Sequence, residues 1–120
     1  MSISQFVLTP QPIRASATGK QAMASALPVA GYTTADTYLY VPALEGATPS
    51  ITVRLIGGWQ TETEDGWMVI ATYNAVSASS ATPQRLVLAF LPPYLRWEVS
   101  AISGTSPVAA FTIVGSLSDQ

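Results

Sequence analysis

Residues 94–115 read YLRWEVSAISGTSPVAAFTIVG, and the alternation in this stretch decides the fold class. Leu95, Trp97, Val99 and Ala101 alternate with Arg96, Glu98 and Ser100, so one face is apolar and the other polar. Gly104-Thr105-Ser106-Pro107 interrupts the run, and a second run follows with Phe111 and Ile113 two apart. A period of two, a turn-forming break and a renewed period of two predict a β-hairpin with one buried face. Leu95, Trp97, Val99, Phe111 and Ile113 are its expected core.

The same rhythm runs through the rest of the chain. Residues 2–9 predict a short strand, stopped by Pro10 and Pro12 because proline removes a ladder donor. Residues 15–19 are small and polar. Residues 21–27 could favour a helical turn, but Leu27-Pro28-Val29 follows at once and a β reading fits the neighbours better. Residues 33–41 predict a strand with Leu39 and Val41 on one face and Tyr38 and Tyr40 on the other. A loop is expected at 42–49 and a strand at 50–56, ended by Gly57-Gly58. Asp65-Gly66 is a tight-turn dipeptide, since glycine takes positive φ without a Cβ clash. Strands at 67–73 and 84–91 follow, and Pro92-Pro93 precedes the terminal hairpin. About eight strands with turn signals between them predict an all-β fold, an antiparallel β-sandwich or a jelly-roll-like small barrel. No stretch sustains a helical period, and no internal repeat is read.

The chain has 120 residues, the size of one domain. Residues 1–28 are expected as an N-terminal arm or edge strand and 29–120 as the sandwich. A chain this long buries roughly two-thirds of its unfolded surface, so a core forms without disulfides or metals. Cysteine and histidine are both absent, which excludes zinc fingers, Cys or His nucleophile–base pairs and His-based metal sites. No cofactor is expected. Only 10% of residues are charged and the net charge is −2, which argues against nucleic-acid binding. Low charge beside 48% apolar content fits two pictures. Part of the surface is covered by a partner or by copies of the chain, or the surface is built from small Ser, Thr and Ala residues. The first residues lack the basic flank and apolar core of a secretory signal. No window approaches the ~18 apolar residues of a membrane helix, so a soluble product made in the cytosol is expected.

Candidate sites are few. Glu62, Glu64 and Asp65 form the one dense carboxylate group. Neighbours on one hairpin rarely face each other as glycosidase carboxylates do, and calcium-loop spacing is missing, so a solvated hairpin tip is expected. Trp97 is in phase with Leu95 and Val99, and Trp67 with Val69 and Ala71, which places both in the expected core. Trp59, after the glycine pair and outside the alternation, is a candidate partner contact, as are Tyr38 and Tyr40. Arg54 and Arg96 lie on polar strand faces, where cross-strand pairing with residues such as Glu98 is the plain expectation. The serines sit in loops without a base, and Gly57-Gly58 alone makes no phosphate cradle. An enzyme is not expected. The first ~25 residues suit either strand addition onto a neighbour or a frayed end.

Residues 33–115 resemble small virion proteins of tailed bacteriophages. In that family a strand ending in an arginine–tryptophan pair precedes a Gly-Thr-Ser-Pro-type turn and a closing Phe-x-Ile strand. The matching residues are Arg96-Trp97, Gly104-Thr105-Ser106-Pro107 and Phe111-Thr112-Ile113. The resemblance implies a structural role in the virion, above all as a capsid decoration or cement protein. It implies the major capsid protein or other virion proteins as partners, and a homo-oligomer with a trimer favoured. A tail or head–tail connector subunit is the alternative position. A carbohydrate-binding module, with a glycan as partner, is the alternative of another class.

Overall fold

Long alternating runs of β-branched and aromatic residues leave no apolar stripe for a helix, and a computed structural model of the chain is almost all β. It describes residues 3–9 and 13–119. In chain order the strands are β1 (Ile3–Val7), β2 (Ile13–Ala15), β3 (Gly19–Lys20), β4 (Leu27–Pro28), β5 (Thr34–Gly58), β6 (Met68–Thr72), β7 (Ser80–Leu88) and β8 (Tyr94–Ser118). A single 3-10 turn, Met23–Ser25, stands before β4 where a β reading was preferred. All pairings among the described residues are antiparallel, and the sheet is curled into a half-barrel. β1, β2, β3 and β4 each pair with β8 as short edge strands. Pro10 and Pro12, expected to end the first strand, lie outside the described residues.

β5 and β8 pair with each other throughout, from Thr34 opposite Ser118 to Gly58 opposite Tyr94. This corrects two expectations. Gly104-Thr105-Ser106-Pro107 does not turn a hairpin, and residues 42–49 are not a loop. Each is a corner inside a 25-residue strand. The cause is a pair of left-handed residues that bends the chain while the ladder continues. Gly46 and Thr48 have φ of 121° and 53°, and Gly104 and Ser106 have φ of 115° and 48°. The ladder register shifts between Tyr40 and Ala43, Glu45 and Ala47, and Ala47 and Ser50, as bulges at a bend require.

The two corners are locked together, with Ala47 opposite Thr105. A Cβ on Gly46 would lie 2.8 Å from the Thr105 carbonyl oxygen, and one on Gly104 would lie 2.9 Å from that of Ala47. Gly104→Ala therefore combines a left-handed backbone penalty with a backbone clash. It should cost roughly 2 kcal/mol or more in urea denaturation. A loss within error of zero would show that the corners are not packed on one another.

The concave face holds one core. β5 contributes Ala35, Leu39, Val41, Ile51, Val53 and Leu55; β8 contributes Leu95, Val99, Ala109, Phe111, Ile113 and Leu117. Leu95, Phe111 and Ile113 have no exposed surface. Trp97, expected in the core, is half-buried at its margin, with its ring edge-on to Phe111 at a centroid distance of 5.2 Å. Trp67 departs further from expectation. It stands before β6 with its ring lying over Gly58 on the outer face, in space that any other side chain there would occupy. One polar link crosses the core: the Thr37 hydroxyl donates to the Leu86 carbonyl at 2.7 Å and lies 2.6 Å from the Tyr73 hydroxyl. Burial pushes the Tyr73 phenol up to about 12, against the smaller opposing effect of that hydrogen bond.

Contrary to the sequence reading, the fold contains an internal repeat. Gly46-Ala47-Thr48-Pro49 and Gly104-Thr105-Ser106-Pro107 occupy equivalent corners, 58 positions apart (46 to 104). With the same spacing, buried Val41, Ile51, Val53 and Leu55 match buried Val99, Ala109, Phe111 and Ile113. The edges match as well. β7 flanks the first part of β5 as β3 and β4 flank the first part of β8. β6 flanks the last part of β5 as β1 and β2 flank the last part of β8. Even the side chains that tie neighbouring edge segments correspond. Gln84, opposite Leu39, binds both the N–H and the carbonyl of Asn74. Gln21, whose N–H donates to the Trp97 carbonyl, also donates its side-chain amide to the Leu8 carbonyl.

Candidate docking surface

Among the described residues the surface carries several paired charges and an apolar cluster. Arg54 lies opposite Glu98 in the ladder and pairs with it, as cross-strand placement predicts. Asp36 and Arg85 form a two-pronged pair at 2.8 and 3.0 Å. Arg96, expected on a solvated face, is only 2% exposed. Three things cover it. The loop after β5 folds back over the outer face, so that Glu64 accepts from the guanidinium at 3.0 and 3.1 Å. The Gln21 carbonyl accepts from Nε and Nη2. The Trp67 ring lies 4.7 Å from the guanidinium carbon, a cation–π contact. Glu64 is thus not a free hairpin tip; it ties this loop to β8 and, through Lys20 at 3.4 Å, to β3. Glu62 and Asp65 remain exposed. The loop is shaped by Gln60, which accepts from the N–H groups of Glu62 and Thr63 and donates to the Asp65 carbonyl.

The hydrogen bond from Arg96 holds the Glu64 carboxyl below its usual range, and that from Arg85 does the same for Asp36. For carboxyls lowered in the folded state, the stabilisation is complete above the ordinary pKa. It is lost as pH falls through the lowered folded values. The urea midpoint should therefore be flat near neutrality and fall from about pH 4 downward. Asp36→Asn combined with Glu64→Gln should flatten that acid limb; an unchanged limb would contradict both pairings.

The apolar cluster lies where β5 ends. Trp59, 54% exposed, stands beside Phe90, 53% exposed, with ring centroids 6.1 Å apart. Met68, Val69 and Val87 are the other exposed large apolar side chains nearby, and a groove runs between residues 68–71 and 87–90. Of the expected contact residues, only Trp59 is here. Tyr38 and Tyr40 are half-buried. Tyr38 lies in a separate shallow depression on the outer face, beside Gln5, Val7 and Val114. Phe90, Met68 and Val87 were not singled out from sequence, and Val69, read in phase with a core Trp67, is exposed. Phe90 had one legible signal: it directly precedes Leu91-Pro92-Pro93, where missing donors end a ladder and leave a neighbouring ring uncovered.

Among the described residues no group of three His, Cys, Asp or Glu side chains could hold a metal ion. No helix of the described residues is long and apolar enough to cross a membrane. No protein-family model, curated protein or solved structure matches the chain. What the geometry offers is contact chemistry: an aromatic and aliphatic cluster at one end of a braced sheet whose charges are largely spent on one another.

Proposed function

We propose that the protein is a non-enzymatic structural protein of a bacteriophage virion, binding the outer surface of the head as a decoration or cement protein. The observation that carries this reading is the Trp59–Phe90 cluster, an exposed aromatic surface on a scaffold with few charges, several of them paired with one another. The residues that carry the family resemblance fit it too, because each serves architecture rather than chemistry. Arg96 clamps a loop, Gly104 and Ser106 bend a strand, and Phe111 and Ile113 fill the core. A protein that binds only the assembled shell stabilises that shell by mass action. Copies at many equivalent sites multiply the effect.

The test is co-sedimentation with intact particles, followed by electron microscopy of the particle that carries the chain. Density on the outer shell is the expected result. Density confined to the tail or the head–tail junction would move the assignment to a tail or connector subunit. The exposed aromatic pair favours one reading of another class, a carbohydrate-binding module, since sugar rings stack on such faces. Binding on a glycan array without particle association would establish that reading instead.

A further inference from the structure

The repeat places two equivalent sites on the outer face, one where β5 ends and one where β8 ends. At the first, Arg96 stands opposite Ile56 and Tyr94 opposite Gly58. At the second, with the same spacing of 58 positions, Tyr38 stands opposite Val114 and Asp36 opposite Ser116. The edge strands carry the match one row further. Val69 pairs with Ile56 and Met68 with Gly57, as Val7 pairs with Val114 and Phe6 with Gly115. Trp67, one position before Met68, therefore corresponds to Gln5, which lies opposite Ser116.

The first site is filled by its own chain. The Trp67 ring lies over Gly58 and against the Arg96 guanidinium. At the second site three exchanges undo that arrangement. Gln5 stands for the indole, Ser116 for the glycine beneath it and Tyr38 for the arginine beside it. The result is a depression of about 500 Å3 bordered by Gln5, Val7, Tyr38, Val114 and Ser116. Small-molecule sites span roughly 300–1,000 Å3. Val7 and Gln5 are exposed at its rim. The end of β8 does not fold over it as residues 59–67 fold over Arg96, because Leu117 and Ser118 stay in the ladder opposite Ala35 and Thr34.

We propose that this depression binds a neutral sugar ring, seated where the equivalent site holds the Trp67 ring. None of the bordering side chains is charged, and the neighbouring Asp36 and Arg85 are paired with each other, so a charged ligand meets no counter-ion. A flat aromatic ring cannot lie flush here. A Cβ on Gly58 would stand 2.6 Å from the Trp67 ring, and Ser116 carries that Cβ. In exchange, the Ser116 hydroxyl and the Gln5 amide share one row and offer donors and acceptors to neighbouring sugar hydroxyls. Tyr38, Val114 and Val7 form the adjacent row, an apolar strip for the C–H face of the ring. The site is separate from the Trp59–Phe90 cluster and does not rest on the virion role.

The probes are the methyl pyranosides of glucose, galactose, mannose and N-acetylglucosamine, each titrated against the full-length protein and followed by saturation-transfer NMR. At least one should show saturable transfer, strongest at its ring C–H groups. Tyr38→Ala should weaken that binding roughly tenfold. Ser116→Gly restores the glycine of the filled site; it should weaken sugar binding several-fold and let indole bind instead. Phe90→Ser should leave sugar binding unchanged. The urea midpoint of each variant shows whether it folds, and Ser116→Gly decides alone if Tyr38→Ala does not. The proposal is overturned by no transfer from any of these sugars, or by transfer that survives substitution at both Tyr38 and Ser116. Loss of transfer in Phe90→Ser would overturn it too, by moving the sugar to the Trp59–Phe90 cluster. Indole binding to the unaltered protein in place of sugar would show that the depression takes an aromatic ring, which also overturns it. Particle association is read independently, so either result can fail without the other.

Discussion

Phe111→Ala should lower the free energy of unfolding by about 3–5 kcal/mol. The ring has no exposed surface, stands among Ala109, Ile113 and Leu95 in the single core, and takes the edge of Trp97. Its removal forfeits transfer free energy and leaves a cavity that a curled, doubly braced sheet closes poorly. Whole domains are stable by only about 5–15 kcal/mol, so the variant should unfold at a much lower urea concentration. Trp97 fluorescence reports the transition directly. A loss under about 1 kcal/mol would mean that the face assignment of β8 is wrong.

Arg96→Ala should be the next most damaging change, at about 3 kcal/mol, for reasons of packing as well as charge. It removes the floor on which Trp67 lies and leaves the Gln21 carbonyl without its guanidinium donors. It also frees Glu64, and with it the turn after β5. Arg96→Met keeps most of the stem but not the charge, so it should recover part of the loss. Glu64→Gln should be milder and salt-sensitive, because that carboxylate is half exposed. Limited proteolysis adds an independent readout: cleavage within residues 59–67 should appear in Arg96→Ala and not in Phe90→Ser. Resistance of that segment in Arg96→Ala would show that the turn is held by something else.

The strand class was legible because period-two alternation at residues 50–56 and 94–101 dictates which atoms face inward. Connectivity was not legible. Gly104-Thr105-Ser106-Pro107 has the composition of a hairpin turn, and only long-range pairing decides whether such residues reverse a chain or bend it. Here β5 supplies partners on both sides of the bend, so the ladder continues through it. The repeat was hidden for a related reason. Its halves share corner residues and inward-facing positions, whereas Val53 matches Phe111 and Ile51 matches Ala109, swaps that preserve burial while erasing identity. Arg96 was misplaced because an arginine on the outer face of a strand ordinarily meets water. What covers it comes from residues 60–67 folding back, which local pattern does not encode. Of the docking surface, Trp59 was visible by its position after Gly57-Gly58, whereas its assembly with Phe90 depends on how the bent β5 brings its last part near the end of β7, which pairs with its first part.

The most direct test is hydroxyl-radical footprinting of the protein bound to intact phage heads, compared with the free protein. The account predicts protection concentrated at Trp59, Met68, Val69, Val87 and Phe90, with Tyr38 and Tyr40 unchanged. Protection centred on the Tyr38 depression, or no difference between free and particle-mixed samples, would contradict it.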